Sequence, residues 1–123
     1  MTQFLPTEIH LHKKSHILEI RFEDGSQFRL PTEYLRVYSP SAEVRGHGPG
    51  EETLQVGKED VNIEKIEQVG TYAIQIHFDD GHNTGIYAWD TLYDLGKNYD
   101  AYWQDYLRRL KEAGHVRKES LNG

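Results

Sequence analysis

The sequence predicts an α+β domain, rich in strands, built from two repeated β-hairpin and short-helix units and closed by a C-terminal helix. Three observations carry that expectation. Apolar and polar residues alternate along Glu8–Phe22 and again along Ala73–Phe78, the period of strands with one buried face. Each run ends on Asp-Gly, at Asp24-Gly25 and at Asp80-Gly81. That pair between strands favours a tight hairpin, because glycine takes positive φ without steric cost. A third pattern, at spacings of three and four, runs through Tyr99, Tyr102, Trp103, Tyr106, Leu107 and Leu110, the period of an amphipathic helix.

Each element follows in order. Ile9 and Leu11 share one parity, and Leu18, Ile20 and Phe22 share another. The change falls at Lys13-Lys14-Ser15, read as a turn. Pro31–Arg36 reads as a short helix after the first hairpin. Ser39–Lys58 holds four glycines and two prolines, and is expected as a long loop without helix or strand. Compact domains keep such loops for function or mobility. Asp60–Val69 reads as a strand with Val61, Ile63 and Ile66 inward.

The first pattern then returns. Ala73–His82 aligns with Ile17–Ser26 without a gap, pairing Leu18 with Ile74, Ile20 with Ile76 and Phe22 with Phe78. Leu30 is matched to Ile86, and Tyr34-Leu35 to Thr91-Leu92 at a one-residue offset. Asn98 is expected to cap the last helix and Gly114 to end it. The aromatic stripe is expected to pack on the sheet, with a partner or dimer contact as the alternative. The domain is placed at residues 1–115, and 116–123 as a polar, frayed tail.

Composition narrows the function. A chain of 123 residues with 37% hydrophobic and 28% charged side chains suits one core with a solvated surface. A net charge of -6 argues against nucleic acid as a partner. The local basic run Arg108, Arg109, Lys111, Arg117 and Lys118 reads as the solvated face and tail of the last helix, ahead of an anion patch. The chain has no cysteine, so disulfides, thiolate metal sites and cysteine nucleophiles are excluded. No segment approaches the ~20 apolar residues needed to span a bilayer. Met1–Pro6 shows neither the basic region nor the apolar stretch of a signal peptide. A cytoplasmic protein without membrane contact is the expectation.

The candidate chemistry is sparse. His77-Phe78-Asp79 has the His-x-Asp spacing of non-haem iron ligands, with His115 as a conceivable third. The matching Arg21-Phe22-Glu23 favours an outward polar strand position instead. His10, His12 and His16 cluster near the first hairpin, as a polar face or an adventitious chelate. Asp80, His82 and Asp90 surround the second turn. No phosphate-cradling loop, zinc-protease motif or nucleophile elbow is present. A self-sufficient enzyme is therefore not expected.

Several motifs together resemble a known family. Leu35-Arg36-Val37-Tyr38-Ser39-Pro40-Ser41-Ala42-Glu43-Val44, then Gly46-His47-Gly48, Asp79-Asp80-Gly81-His82 and Trp89 are similar to the gamma-butyrobetaine hydroxylase-like N-terminal domain family, in its stand-alone bacterial form. The resemblance covers about residues 5–98. It implies a compact strand-rich domain, with a bound metal in some members. In the hydroxylases it implies a separate iron- and 2-oxoglutarate-dependent catalytic domain after this one. Related domains accompany iron–sulfur carrier ATPases, which implies an accessory role in iron chemistry. In the hydroxylases three cysteines in a Cys-Pro-Cys-x-x-Cys-like segment and a histidine after Asp-Gly hold zinc. The corresponding positions here are Ser39, Ser41, Val44 and His82. Serine hydroxyls and valine do not replace thiolates, so no zinc is expected there. Ser39 and Ser41 are expected to hydrogen-bond locally or toward His82.

These readings converge on a non-enzymatic accessory or protein-interaction module whose partner is another protein, the chain itself being a monomer or weak dimer. Its working surface is placed at Arg36, Ser39, Ser41, Glu43, Arg45, His47 and His82, with no cofactor. The alternative is a metal-binding accessory protein, linked to iron, iron–sulfur or zinc, with His82 and His47 as ligands.

Overall fold

A computed structural model describes residues 4–46 and 52–118. Two three-stranded antiparallel sheets form the body among these residues. The first sheet holds β1 (Pro6–His12), β2 (Ile17–Phe22) and β3 (Gln27–Pro31) in that order. The second holds β4 (Ile63–Val69), β5 (Ala73–Phe78) and β6 (Ile86–Ala88). The helices are α1 (Thr32–Val37), α2 (Ala42–Arg45), α3 (Trp89–Lys97) and α4 (Tyr99–Glu112). The architecture is the α+β class expected.

The central strands make the core. Leu18, Ile20 and Phe22 of β2 and Ile74, Ile76 and Phe78 of β5 are buried in one cluster with Tyr34, Leu35, Tyr87, Leu92 and Leu95. Removing such side chains from water is the main favourable term of folding. A bulge in β4 between Ile63 and Lys65 shifts the parity of that strand. Ile63 therefore faces Phe78 and Ile66 faces Ile76, so two residues three apart both point inward.

Both Asp-Gly turns close alike. Gly25 has φ 88° and Gly81 φ 90°, and the N–H of Phe22 or Phe78 donates to the carbonyl of Ser26 or His82, each at 2.9 Å. Beyond the turns the two copies differ. Leu18 pairs with Leu30, whereas Ile74 pairs with Tyr87. Leu30 thus corresponds to Tyr87 and not to Ile86, which is 46% exposed. The extra residue lies just after His82, inside the second hairpin, and the helices inherit their offset from it.

Three local expectations change. Ser39–Lys58 contains one helical turn, α2. The Ser41 hydroxyl caps it by accepting from the Glu43 N–H, and Gly46 ends it at φ 74°. The glycines break the helix only after Arg45. Asn98 does not cap α4 with its side chain. Its amide donates back to the Asp94 carbonyl and carboxylate, so it ends α3. The aromatic stripe of α4 packs chiefly on α1. The Tyr34 ring meets Tyr99 edge-on, and Tyr38 meets Tyr102 and Tyr106. Gly114 does end α4, at φ 79°, with His115 N–H donating to Leu110 and Gly114 N–H to Lys111. Just beyond, Arg117 pairs with the buried Glu33 and lies over the Trp103 ring.

The helices also seat on the sheets closely. Gly96 of α3 faces the Phe28 ring, and a methyl group at that position would be driven into the ring carbons. Gly96→Ala is therefore expected to cost roughly 1 to 3 kcal/mol, as overpacking does, although alanine is the better helix former. Urea unfolding measures it; an unchanged or raised midpoint would contradict this packing.

Candidate functional site

The second hairpin turn and the segment after α1 meet side chain to side chain. Arg36, at the end of α1 and only 7% exposed, donates from Nε to Asp80 Oδ2 at 2.9 Å and from an Nη to Gln55 at 3.0 Å. Lys58 reaches the same Asp80 oxygen at 2.8 Å. Two residues along the turn, His82 is buried. Its Nε2 lies 2.8 Å from Ser39 Oγ and its Nδ1 2.9 Å from Glu43 Oε2. Ser41 Oγ then meets Thr84 Oγ1 at 2.6 Å. Arg36, Ser39, Ser41 and Glu43 on one segment thus hold Asp80, His82 and Thr84 on the other.

The protons in this row follow from its partners. Ser39 Oγ accepts from the Ser41 N–H at 3.2 Å, so its own hydrogen is available for His82 Nε2. Glu43 accepts only, so Nδ1 carries the ring proton. The order serine, histidine, carboxylate is that of a nucleophile, its base and the group that orients the base. Ser39 is 0% exposed, however. A Cβ at Gly85 would stand 2.5 Å from Ser39 Oγ and 3.1 Å from the Tyr87 ring, so only glycine lets the hairpin come this close.

The structure divides the expected surface. Arg36, Ser39, Ser41 and His82 are buried and engaged with one another's neighbours. Glu43 and Arg45 are exposed. His47 lies outside the described residues. Asp80, Thr84, Gln55 and Lys58 belong to the site and were not in the expected set. Asp80 was visible in its Asp-Gly pair, whereas Thr84 reaches Ser41 only through the extra residue after His82. Lys58 and Gln55 carried no signal.

The residues do not fit a zinc ion. Both ring nitrogens of His82 are occupied, and the other positions offer hydroxyls and the buried Val44 in place of thiolates. Among the described residues no group of three or more histidine or acidic side chains is arranged to hold a metal. Three other histidines are separately engaged: His10 with Glu8, His12 with Glu19 and His16 with the Val61 carbonyl. His77, expected to face solvent, is half-buried, with Nε2 2.6 Å from Glu67 Oε1.

Two titrating groups tie this site to acid stability. Burial raises the Asp80 carboxyl, but hydrogen bonds from Lys58, the His82 N–H and Arg36 outweigh it and hold it at about 2. For His82, burial first and the Arg36 charge second lower the imidazole below its ordinary value, against Glu43. Both make the unfolded chain bind protons more readily than the folded one, so stability decreases as the pH is lowered. The His82 contribution is lost as pH drops below 6.5, the ordinary histidine value. The Asp80 contribution is lost between its ordinary 3.8 and about 2. Denaturation at pH 7 and pH 5.5 should show the first loss in the wild type and a smaller one in His82→Gln; equal slopes would refute it. Asp80→Asn strands the buried Arg36 charge and is expected to cost about 2 kcal/mol, below a fully buried pair because solvent reaches Lys58. Calorimetry at pH 7 checks it, and a variant as stable as wild type would contradict the role of the pair.

Comparison with known proteins agrees with this architecture. The family model described as gamma-butyrobetaine hydroxylase-like, N-terminal, matches residues 9–93. A solution structure determined by NMR is 44% identical, with 98% of this chain and 96% of that one covered and a TM-score of 0.83. A second NMR structure is 49% identical, covering 95% and 90%, with a TM-score of 0.80. A crystal structure of a protein of unknown function from Acidithiobacillus ferrooxidans is 40% identical, covering 74% and 91%, with a TM-score of 0.63. No curated protein matches. With the matched model spanning most of the chain, and with its hairpins and helices in the places described, the chain belongs to the gamma-butyrobetaine hydroxylase-like N-terminal domain family.

Proposed function

We propose that this protein is a non-enzymatic accessory module that binds another protein, using the face that presents Glu43 and Arg45. The supporting observation is the complete burial of Ser39 at the head of the Ser39–His82–Glu43 row. A nucleophile must reach its substrate, and this hydroxyl is covered by the second hairpin. In this reading the row is a clasp. It fastens α2 to the hairpin and holds an exposed carboxylate and an exposed guanidinium on one short, capped turn. The Glu43 carboxylate is held by His82, and a charged side chain fixed in this way suits recognition of a complementary surface, because little is lost in ordering it. A protein site also accords with the chain's composition, and no helix among the described residues is long and apolar enough to cross a membrane.

Two measurements test the reading. A fluorophosphonate probe should leave Ser39 unmodified, since the probe reports a serine that is both activated and accessible; an adduct on Ser39 would overturn the non-enzymatic reading. Affinity capture from cell extract should recover a partner with the wild-type chain and lose it with Arg45→Glu, an exposed change that spares the clasp. Equal recovery by both would remove this face from the function.

A further inference from the structure

The two sheets do not meet along their whole length. On the side of β1 and β4 they open into a cleft of about 710 Å³, within the size range of ligand sites. Leu5, Ile9 and Leu11 form one wall, and Ile66, Ile74 and Trp89 form the other. Ile9 and Leu11 are alternate residues of β1, opposite the buried Ile20 and Leu18, so this stretch of the wall repeats at the spacing of an extended chain, and a bulge between Pro6 and Glu8 ends the alternation. β1 is also the outer strand of its sheet. Among the described residues no strand pairs with its free side, so alternate backbone N–H and C=O groups there lack a ladder partner. The charged side chains that line the cleft are both acidic. Glu8 and Glu23 line it, and no lysine, arginine or histidine does. Glu8 is partly offset by His10 at 3.0 Å and Arg21 at 4.0 Å, while Glu23 has no ion-pair partner among the described residues.

We propose that this cleft binds an extended peptide segment of a partner protein, added along the free edge of β1. The segment's alternate side chains are apolar and fill the cleft, and a lysine or arginine at its end meets Glu23. Edge addition suits the unpaired side of β1 and the alternate Ile9 and Leu11, as main-chain bonds supply affinity and pockets at every second residue supply selectivity. Glu23, which lines the cleft without an ion-pair partner among the described residues, sets the sign of the flanking charge. The proposal rests on the reading of the protein as an interaction module and gives it a second surface, away from Glu43 and Arg45.

The test uses the full chain and two synthetic nonapeptides, Lys-Thr-Val-Thr-Val-Thr-Val-Thr-Lys and the same core flanked by glutamate. Binding is followed by NMR of backbone amides and of the Trp89 indole N–H. The lysine-flanked peptide should shift Thr7, Ile9, Leu11 and Trp89, and bind at least tenfold more tightly than the glutamate-flanked one. Glu23→Lys, an exposed change remote from the core, should erase that preference. Absence of shifts at β1, equal affinity for the two peptides, or shifts confined to Arg45 and its neighbours would overturn the proposal. Concentration-dependent shifts at β1 without peptide would replace the partner segment by a second copy of this chain and equally overturn it. These failures leave the module reading standing if Arg45→Glu still loses its captured partner, so the two readings fail separately.

Discussion

Each Asp-Gly turn in this fold is held by the other repeat. The Tyr93 hydroxyl on α3 donates to Asp24 in the first turn at 2.5 Å, and Arg36 on α1 donates to Asp80 in the second at 2.9 Å. Leu35 and Leu92 occupy matching places, so Arg36 and Tyr93, each one residue later, are equivalents. The contact is reciprocal. Each helix crosses to the partner repeat and reaches the carboxylate oxygen that the turn's own amide leaves open. The same exchange joins the apolar faces, because β2 and β5 contribute to one cluster. A repeat of roughly 30 residues lies below the ~40 at which a chain usually folds without metals, disulfides or association, and here the polar groups at the turns are also incomplete without the second copy. The rest of the structure depends on that exchange.

The two ends of the exchange have diverged in chemistry. The first is aromatic. Tyr93 stacks on Phe4 with ring centroids 3.8 Å apart, meets Phe22 and Phe28 edge-on, and lies 3.2 Å from Ser26 Oγ. The second is ionic and extends through His82 and Thr84 to Ser39, Ser41 and Glu43. One inserted residue separates them in the backbone. It brings Gly85 against Ser39 and places Thr84 opposite Ser41. In this chain hydrogen bonds between neutral hydroxyls, an imidazole and a carboxylate perform the fastening that the family resemblance assigns to a metal in some members. Such bonds are individually worth about a kilocalorie per mole, so the clasp relies on several acting together and on the exclusion of water.

Much of the fold was legible in the sequence because it rests on local rules. Alternation marked β2 and β5, Asp-Gly marked both turns, and Gly114 marked the end of α4. The failures share one physical origin. Leu30 was matched to Ile86 because side-chain type alone does not reveal where a hairpin adds a residue. Asn98 looked like a helix cap, but the backbone bends from α3 into α4 there and its amide serves the earlier helix. The stripe of α4 announced a buried face correctly, yet its period carries no information about which element covers it. Of the site, His82 and the two serines were visible through the resemblance. Lys58 and Gln55 were not, because polar residues in a glycine-rich segment look alike until something faces them.

The sequence by itself determined the class, the strands, the duplicated hairpin and the absence of thiolate chemistry, since each follows from residue type or from spacing along the chain. Tertiary structure decided which repeat holds which turn, that Ser39 is sealed while Glu43 and Arg45 stay outside, and that the sheets part beside β1 to leave an apolar cleft. Those outcomes depend on distances between residues some 40 positions apart in sequence, such as Arg36 with Asp80 and Ser39 with His82. Such distances are set by how two packed layers settle against each other, and no local pattern encodes them.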